Sequence, residues 1–217
     1  MIYTVTLSPA LDYVMELDKL EIGKINRSRN EKYIPGGKGI NVSIVLNNLG
    51  IKSTALGFLG GFSGDYIERE LEKIGIINDF VHIDGITRIN VKVSSEIETA
   101  INGIGPIIND SNIKELINKI SNIKNGDYLV LSGAIPKSIS CNIYLNIIKS
   151  IQNKNVNVIV DTTNKALVNT LVYHPFLVKP NLLELEEIFN VKIENYNELI
   201  FYAKKLNSRG AQNVIVS

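Results

Sequence analysis

The chain has 217 residues, 23 basic and 22 acidic side chains, a net charge of +1 and 45% hydrophobic residues. That balance excludes a disordered chain and lacks the basic excess of a nucleic-acid binder, and the length suits one domain with a small appendage. A single cysteine, Cys141, rules out an internal disulfide, and no apolar run approaches the ~20 residues of a membrane helix, so a cytoplasmic protein without a membrane partner is expected.

Met1-Ile2-Tyr3-Thr4-Val5 opens directly as a strand, with no signal-peptide pattern. From Leu11 to Leu17 the residues alternate, with Leu11, Tyr13, Met15 and Leu17 on one face and Asp12, Val14 and Glu16 on the other. Such period-two strands predict a small antiparallel sheet with one apolar and one polar face. A helix is predicted over 39–50, with an apolar stripe of Val42, Val45, Leu46 and Leu49 and Gly50 closing its end. "GFLGGFSGD" (57–65) reads as a glycine-rich turn, and "RINVKVS" (88–94) alternates again. Beyond residue 128 the pattern changes. "YLVLSG" (128–133), "VNVIVD" (156–161), "PFLVK" (175–179) and "NVIVS" (213–217) are short apolar runs, as buried parallel strands are. Helical spacing separates them, as in Ile143, Leu145, Ile147, Ile148 and Ile151, in 181–189 and in 197–206. Strand–helix alternation predicts a parallel sheet covered on both faces.

The stretch Gly36-Gly37-Lys38-Gly39-Ile40-Asn41 lacks the spacing of a P-loop and of G-x-G-x-x-G. It still has the physics of an anion site. Glycines admit a ligand close to the backbone, the helix that follows presents free N–H groups, and Lys38 adds a full charge. A tight loop that only packs helix against strand explains the glycines equally well. Other polar residues gather at predicted strand ends: Asp12 after the first strand, Ser132 and Gly133 in "LSGAIP", and Lys179-Pro180-Asn181. In open parallel sheets, ligands bind at such ends. Asn181 suits a helix N-cap and Glu184 the capping-box position three residues later, a complete structural explanation for both. The two histidines and Cys141 have no metal-site spacing.

Taken in order, T-L-S-P-A-L-D (6–12), G-G-K-G-I-N (36–41), T-R-I-N (87–90), S-G-A-I-P (132–136) and K-P-N-L-L-E (179–184) resemble the ribokinase-like sugar kinases, and within them the phosphofructokinase-B group. Each motif is weak alone, and the ordered set is specific. The resemblance implies an α/β three-layer sandwich with a parallel-dominated sheet and a small antiparallel β lid, from segments near 10–34 and 87–101. It is nearest to the bacterial 1-phosphofructokinases, which convert fructose 1-phosphate to fructose 1,6-bisphosphate with ATP and Mg²⁺. Tagatose-6-phosphate kinases are the near neighbours.

Carried over residue by residue, the resemblance places the sugar phosphate on Gly36, Gly37, Lys38, Gly39 and Asn41. Asp12 would accept sugar hydroxyls, and Ser132 would reach the sugar or satisfy a nearby backbone group. Arg88 would pair with the phosphate, with Arg27 and Lys38 completing the clamp and Arg29 and Lys32 as alternatives to Arg27. Lys179, Asn181, Glu184 and Ser217 would lie on the ATP side, with Glu184 near the magnesium. Asp161 ends the strand leading to that side. The family also implies a homodimer formed through the lid, and the apolar face of the first lid strand points the same way.

Ser8 stands where the family usually has Asn, and Ala100 where it usually has a carboxylate. The G-A-G-D motif, whose aspartate would be the general base, is not found in these residues. The expectation is a single ribokinase-like domain over 1–217, C-terminally incomplete, with its general-base aspartate beyond Ser217. Two functions stand side by side: an ATP-dependent sugar-phosphate kinase whose 217 residues alone are inactive, or a non-catalytic sugar-phosphate-binding homologue.

Overall fold

The computed structural model describes residues 1–217, the side chain of Asn164 excepted. Strand β1 (Ile2–Thr6) lies at the centre of the large sheet. The sheet runs β12 (Asn213–Val214), β11 (Leu177–Val178), β10 (Asn157–Asp161), β9 (Tyr128–Ser132), β1, β4 (Ser53–Leu59), β5 (Ile77–Asn78), and β6 (Val81–His82) also pairs with β4. Every neighbouring pair is parallel. The α/β fold with a mostly parallel central sheet is therefore present as expected. The runs read at 175–179 and 213–217 pair over only two residues each, at the sheet's edge.

Alternation along the strands sends side chains to two different interiors. Val5, Leu129, Leu131, Val158, Val160 and Val178 point to one face. There they meet α3 (Asp110–Ile120), α4 (Ile143–Ser150), α5 (Asn164–Thr170), α6 (Leu182–Phe189) and α7 (Tyr196–Ser208) through Leu116, Ile147, Leu167, Leu185 and Leu206. On the other face Ala55 and Leu59 pack with α1 (Lys38–Asn48) and α2 (Gly61–Lys73) through Ile40, Ile67 and Leu71. The run 57–65 is thus the end of β4 and the start of α2, rather than a turn.

Helix α1 departs from its predicted face. Val45 is 55% and Leu49 68% exposed, while Gly39, Ile40 and Ser43 are buried. The sheet beneath α1 is small and polar. Thr4 Oγ1 lies 2.7 Å from Ser43 Oγ, and Ser53 Oγ donates to Ser43 Oγ at 3.0 Å. Short side chains allow a close approach that a Val/Leu stripe would block. Gly50 closes the helix as predicted: its N–H donates to Asn47 O and that of Ile51 to Leu46 O, the two bonds of a Schellman motif.

The lid is a second sheet, ordered β3 (Asn30–Gly36), β2 (Ala10–Glu16), β7 (Ile89–Ser94), β8 (Thr99–Asn102). Its outer pairs are antiparallel, as predicted, and the central pair β2–β7 is parallel. The reason lies in the body. Strands β1 and β6 run the same way, so β2 and β7, which follow them, leave side by side. Arg88 fastens the two exits, donating to Ser8 O at 3.1 Å and Pro9 O at 3.3 Å. The apolar lid face is partly consumed within the chain. Leu11 is buried with α2, and Tyr13 stacks on Tyr33 at 4.7 Å, with Tyr66 of α2 tilted against Tyr33 at 6.0 Å.

Candidate active site

The carboxyl ends of β1, β9, β10 and β11 open toward the lid's polar face, and the glycine loop crosses between them. Gly37 holds φ 123°, and a Cβ there would lie 2.6 Å from Thr6 Cγ2. A Cβ on Gly39 would lie 2.5 Å from Thr6 Oγ1 and 2.8 Å from Val5 O. These two glycines are explained by packing. Gly36 is different, because a Cβ there would meet Asp12 Oδ2 at 3.1 Å. Its missing side chain leaves room beside a carboxylate.

The start of α1 is available to a ligand. Its N-cap Gly37 offers no side-chain cap, and its first turn holds no acidic residue. The Ile40 amide donates to Thr6 Oγ1 at 2.9 Å and that of Asn41 to Gly37 O at 2.9 Å. The amides of Lys38 and Gly39 precede any intrahelical acceptor. Asn41 is exposed on this first turn. An anion here would meet free N–H groups and the positive end of the helix dipole.

Asp12 faces this loop from β2. Its Oδ1 accepts from Asn90 Nδ2 at 2.8 Å, and its Oδ2 accepts from Lys92 Nζ at 2.6 Å. Each oxygen keeps lone pairs for a ligand hydroxyl. Arg88 lines a cavity of ≈ 400 Å³ with Ser8, Gly105, Ala134 and Lys137. Two of its five N–H donors hold the carbonyls of Ser8 and Pro9, which fixes the guanidinium and leaves donors for an anion.

The other expected cations divide. Lys38 turns away from the loop: Gly133 lies under its stem, and its Nζ donates to Asp161 Oδ1 at 3.2 Å. Lys179 Nζ lies 4.0 Å from Asp161 Oδ2 and donates to Ser217 Oγ at 3.1 Å. Asp161 thus stands between two lysines, one from each side of the site. Buried Tyr144 has its pKa pushed up, by burial and then by the charge of Asp161. Arg27 is exposed in the loop between β2 and β3. Its alternatives are engaged, Arg29 with Asp18 and Lys32 with Glu16.

Ser132 is 0% exposed, and its Oγ has no hydrogen-bond partner among the described residues. It reaches neither a backbone group nor a side chain. Asn181 and Glu184 form a full capping box: Asn181 Oδ1 accepts from the Glu184 amide at 2.8 Å, and Glu184 Oε2 accepts from the Asn181 amide at 2.8 Å. The second carboxylate oxygen of Glu184 makes no protein hydrogen bond among the described residues. That oxygen has the hard character Mg²⁺ prefers and is not engaged in the box. No group of three or more His, Cys, Asp or Glu side chains among the described residues could hold a metal by itself. A Mg²⁺ ion that keeps several waters and binds nucleotide phosphates fits such a sparse set.

An uncapped helix start stands beside the Asp12 carboxylate across Gly36, and Arg88 is fixed on the carbonyls of Ser8 and Pro9 where β2 leaves the body. Residues 5–217 match the family model described as pfkB family carbohydrate kinase. The chain belongs to that family. It is 46% identical over 218 residues to a 1-phosphofructokinase of Borreliella burgdorferi, covering 100% of this chain and 71% of the relative. It is 41% identical over 218 residues to a D-tagatose-1-phosphate kinase of Bacillus licheniformis, covering 100% and 72%. Among solved structures it resembles phosphofructokinase-2 from Escherichia coli in complex with fructose-6-phosphate, at TM-score 0.93 and 27% identity, covering 100% of this chain and 73% of that one.

Within this pfkB-family site, sequence reasoning missed Asn90 and Lys92 as partners of Asp12, and Lys137 beside Arg88. For the first two a signal was present, because Arg88, Asn90 and Lys92 recur every second residue and so share one strand face.

Proposed function

We propose that the chain forms the sugar-phosphate seat and part of the nucleotide side of an ATP-dependent kinase that converts fructose 1-phosphate to fructose 1,6-bisphosphate. The observation that carries this reading is the juxtaposition of Asp12 with the open start of α1 across Gly36. A carboxylate selects hydroxyls and a helix start selects an anion, and a sugar phosphate presents both. Arg88 would hold the phosphate remote from the reacting hydroxyl, with Arg27 as a further cation from the lid. Asn41 would bind the sugar, while Ser132, fully buried, would lie beneath the site rather than on it. Lys179, Ser217, Asn181 and the free oxygen of Glu184 would face ATP and its magnesium. That ion neutralises charge on the phosphates when bound. Lys38, paired with Asp161, would join the two halves of the site.

Phosphoryl transfer to a sugar hydroxyl also needs a base to accept its proton. Asp12 is paired with Lys92 and Asn90, Asp161 with Lys38, and Glu184 caps α6 on the nucleotide side. In this reading the base comes from outside residues 1–217, which bind sugar phosphate but do not turn it over. The domain would be one ribokinase-like unit completed by residues beyond these. It would act in the cytoplasm as a homodimer joined through the lid, on the face that leaves Tyr33 and Ile101 exposed.

The test is a coupled ADP-release assay on residues 1–217 with fructose 1-phosphate, Mg²⁺ and ATP, beside a calorimetric titration of the sugar phosphate. Binding without turnover is expected. Turnover in the ~1–100 per second range of kinases would place the base within these residues. No binding at all would remove the sugar-phosphate seat. Similarity to a D-tagatose-1-phosphate kinase favours tagatose 1-phosphate as a second substrate reading. The two sugars share the phosphate at carbon 1 and differ in configuration at carbon 4, so titrating both separates them.

A further inference from the structure

We infer that Lys92 is a specificity-determining residue: it is the counter-charge that lets the Asp12 carboxylate stand inside a seat for an anionic sugar. The inference rests on the sugar-phosphate reading of the site.

Asp12 poses an electrostatic conflict. A carboxylate is well suited to sugar hydroxyls, but it repels the phosphate of the same ligand. Lys92 resolves the conflict locally. Its Nζ lies 2.6 Å from Asp12 Oδ2, and its side chain is 39% exposed against 14% for Asp12. The pair therefore sits at the mouth of the site, not in the core.

The sheet register explains why the ammonium turns this way. In the parallel β2–β7 pair, Asp12 is the register partner of Asn90, and Val14 that of Lys92. Toward β8, the partner of Lys92 is Ala100, which offers no carboxylate. Glu16, at the end of β2, is held by Lys32 of β3 at 3.0 Å. Asp12 is left as the acid with which Lys92 pairs. Asn90 fixes the other oxygen, so the carboxylate is held by both its atoms with the glycine loop open before it.

Lys92 also balances Arg88. Arg88 immediately precedes β7 and Lys92 lies within it, four residues and about 13 Å of backbone further at the rise of a strand, with Asp12 opposite Asn90 between them. A ligand on Asp12 would therefore meet Lys92 directly, with Arg88 further along the same edge. Such an arrangement suits a ketohexose phosphate better than the neutral ketohexose, because only the phosphate gains from the uncancelled charge.

The experiment titrates fructose 1-phosphate into the wild-type chain and into Lys92→Met, Lys92→Arg and the double variant Asp12→Asn/Lys92→Met, after melting each to confirm that it folds. Lys92→Gln replaces the methionine variant should that one melt early. Lys92→Met is expected to weaken binding about ten- to hundredfold, a discounted figure for a half-exposed charge pair. Lys92→Arg should recover most of the loss. The double variant should bind more tightly than Lys92→Met alone, because it no longer carries a bare carboxylate. Binding by Lys92→Met within about twofold of wild type would overturn the inference, since the pair would then contribute no more than a typical surface ion pair. A double variant no tighter than the single one would also overturn it. Absence of binding by the wild-type chain would instead strike the sugar-phosphate reading itself.

Discussion

In the body, Val5, Leu129, Leu131 and Val160 are sealed between the sheet and α3–α7, away from water. In the lid, side-chain contacts that cross strands include Tyr13 on Tyr33, Lys32 with Glu16, and Asn90 and Lys92 with Asp12. The body is held by apolar burial, which is insensitive to a ligand or to salt. The lid adds to its backbone ladders and buried Leu11 and Val93 a set of surface charge pairs and an aromatic stack, which both ligand and salt can alter. The contrast assigns the two regions different work. The body fixes where the strand ends point, and the lid discriminates what lies on them.

The sharpest way to break that division is in the body. Ile147→Ala deletes a fully buried side chain of α4 and is expected to cost about 2–5 kcal/mol in denaturant unfolding. An effect confined to sugar-phosphate affinity would contradict the division. Arg88→Ala should do the reverse. It is expected to weaken fructose 1-phosphate binding by about 2–5 kcal/mol while nucleotide affinity stays near wild type, both read by calorimetry. An unchanged affinity for the sugar phosphate would remove Arg88 from the phosphate seat.

The nucleotide side separates structure from function within one motif. Asn181→Ala removes the side chain that caps α6, and about 1 kcal/mol of stability is expected to go with it. Glu184→Gln retains an oxygen able to accept from the Asn181 amide, so its melting temperature should stay near wild type. In a catalytically competent form of the kinase, the same variant should raise the magnesium requirement and lower turnover. Wild-type kinetics in that variant would leave Glu184 only its capping role. A comparably small effect belongs to the lid face that carries Tyr33. Tyr33→Ala loses a stack worth about 0.5–1.5 kcal/mol, with little change in the body's unfolding. If this face joins two copies, the variant should also shift the mass seen by light scattering toward the monomer.

Much of this was legible before any coordinates. The strand ends at Ser132 and Asp161 and the Asn181–Glu184 box follow from short-range rules, and they lie where those rules put them. What escaped depends on partners distant in sequence. The Val42–Leu49 stripe has perfect helical spacing, yet Val45 and Leu49 face outward while Ser43 packs on Thr4 and Ser53. Alternation in β2 and β7 announced a two-faced sheet, but not that the two strands run parallel, since direction follows from where each leaves the body. Lys38 is two residues from Gly36 beside Asp12, yet its charge is spent on Asp161, 123 residues away in the chain. Lys92 was visible only as one polar position of an alternating strand, and its meaning comes from Asp12 on another strand.

The measurement that tests the division most directly is amide hydrogen exchange on the chain with saturating fructose 1-phosphate, and with fructose at the same concentration. The account predicts added protection in β2, β7 and the start of α1, little change in β9 and α4, and almost none anywhere with fructose. Protection spread evenly over the body, or matched by the unphosphorylated sugar, would contradict it.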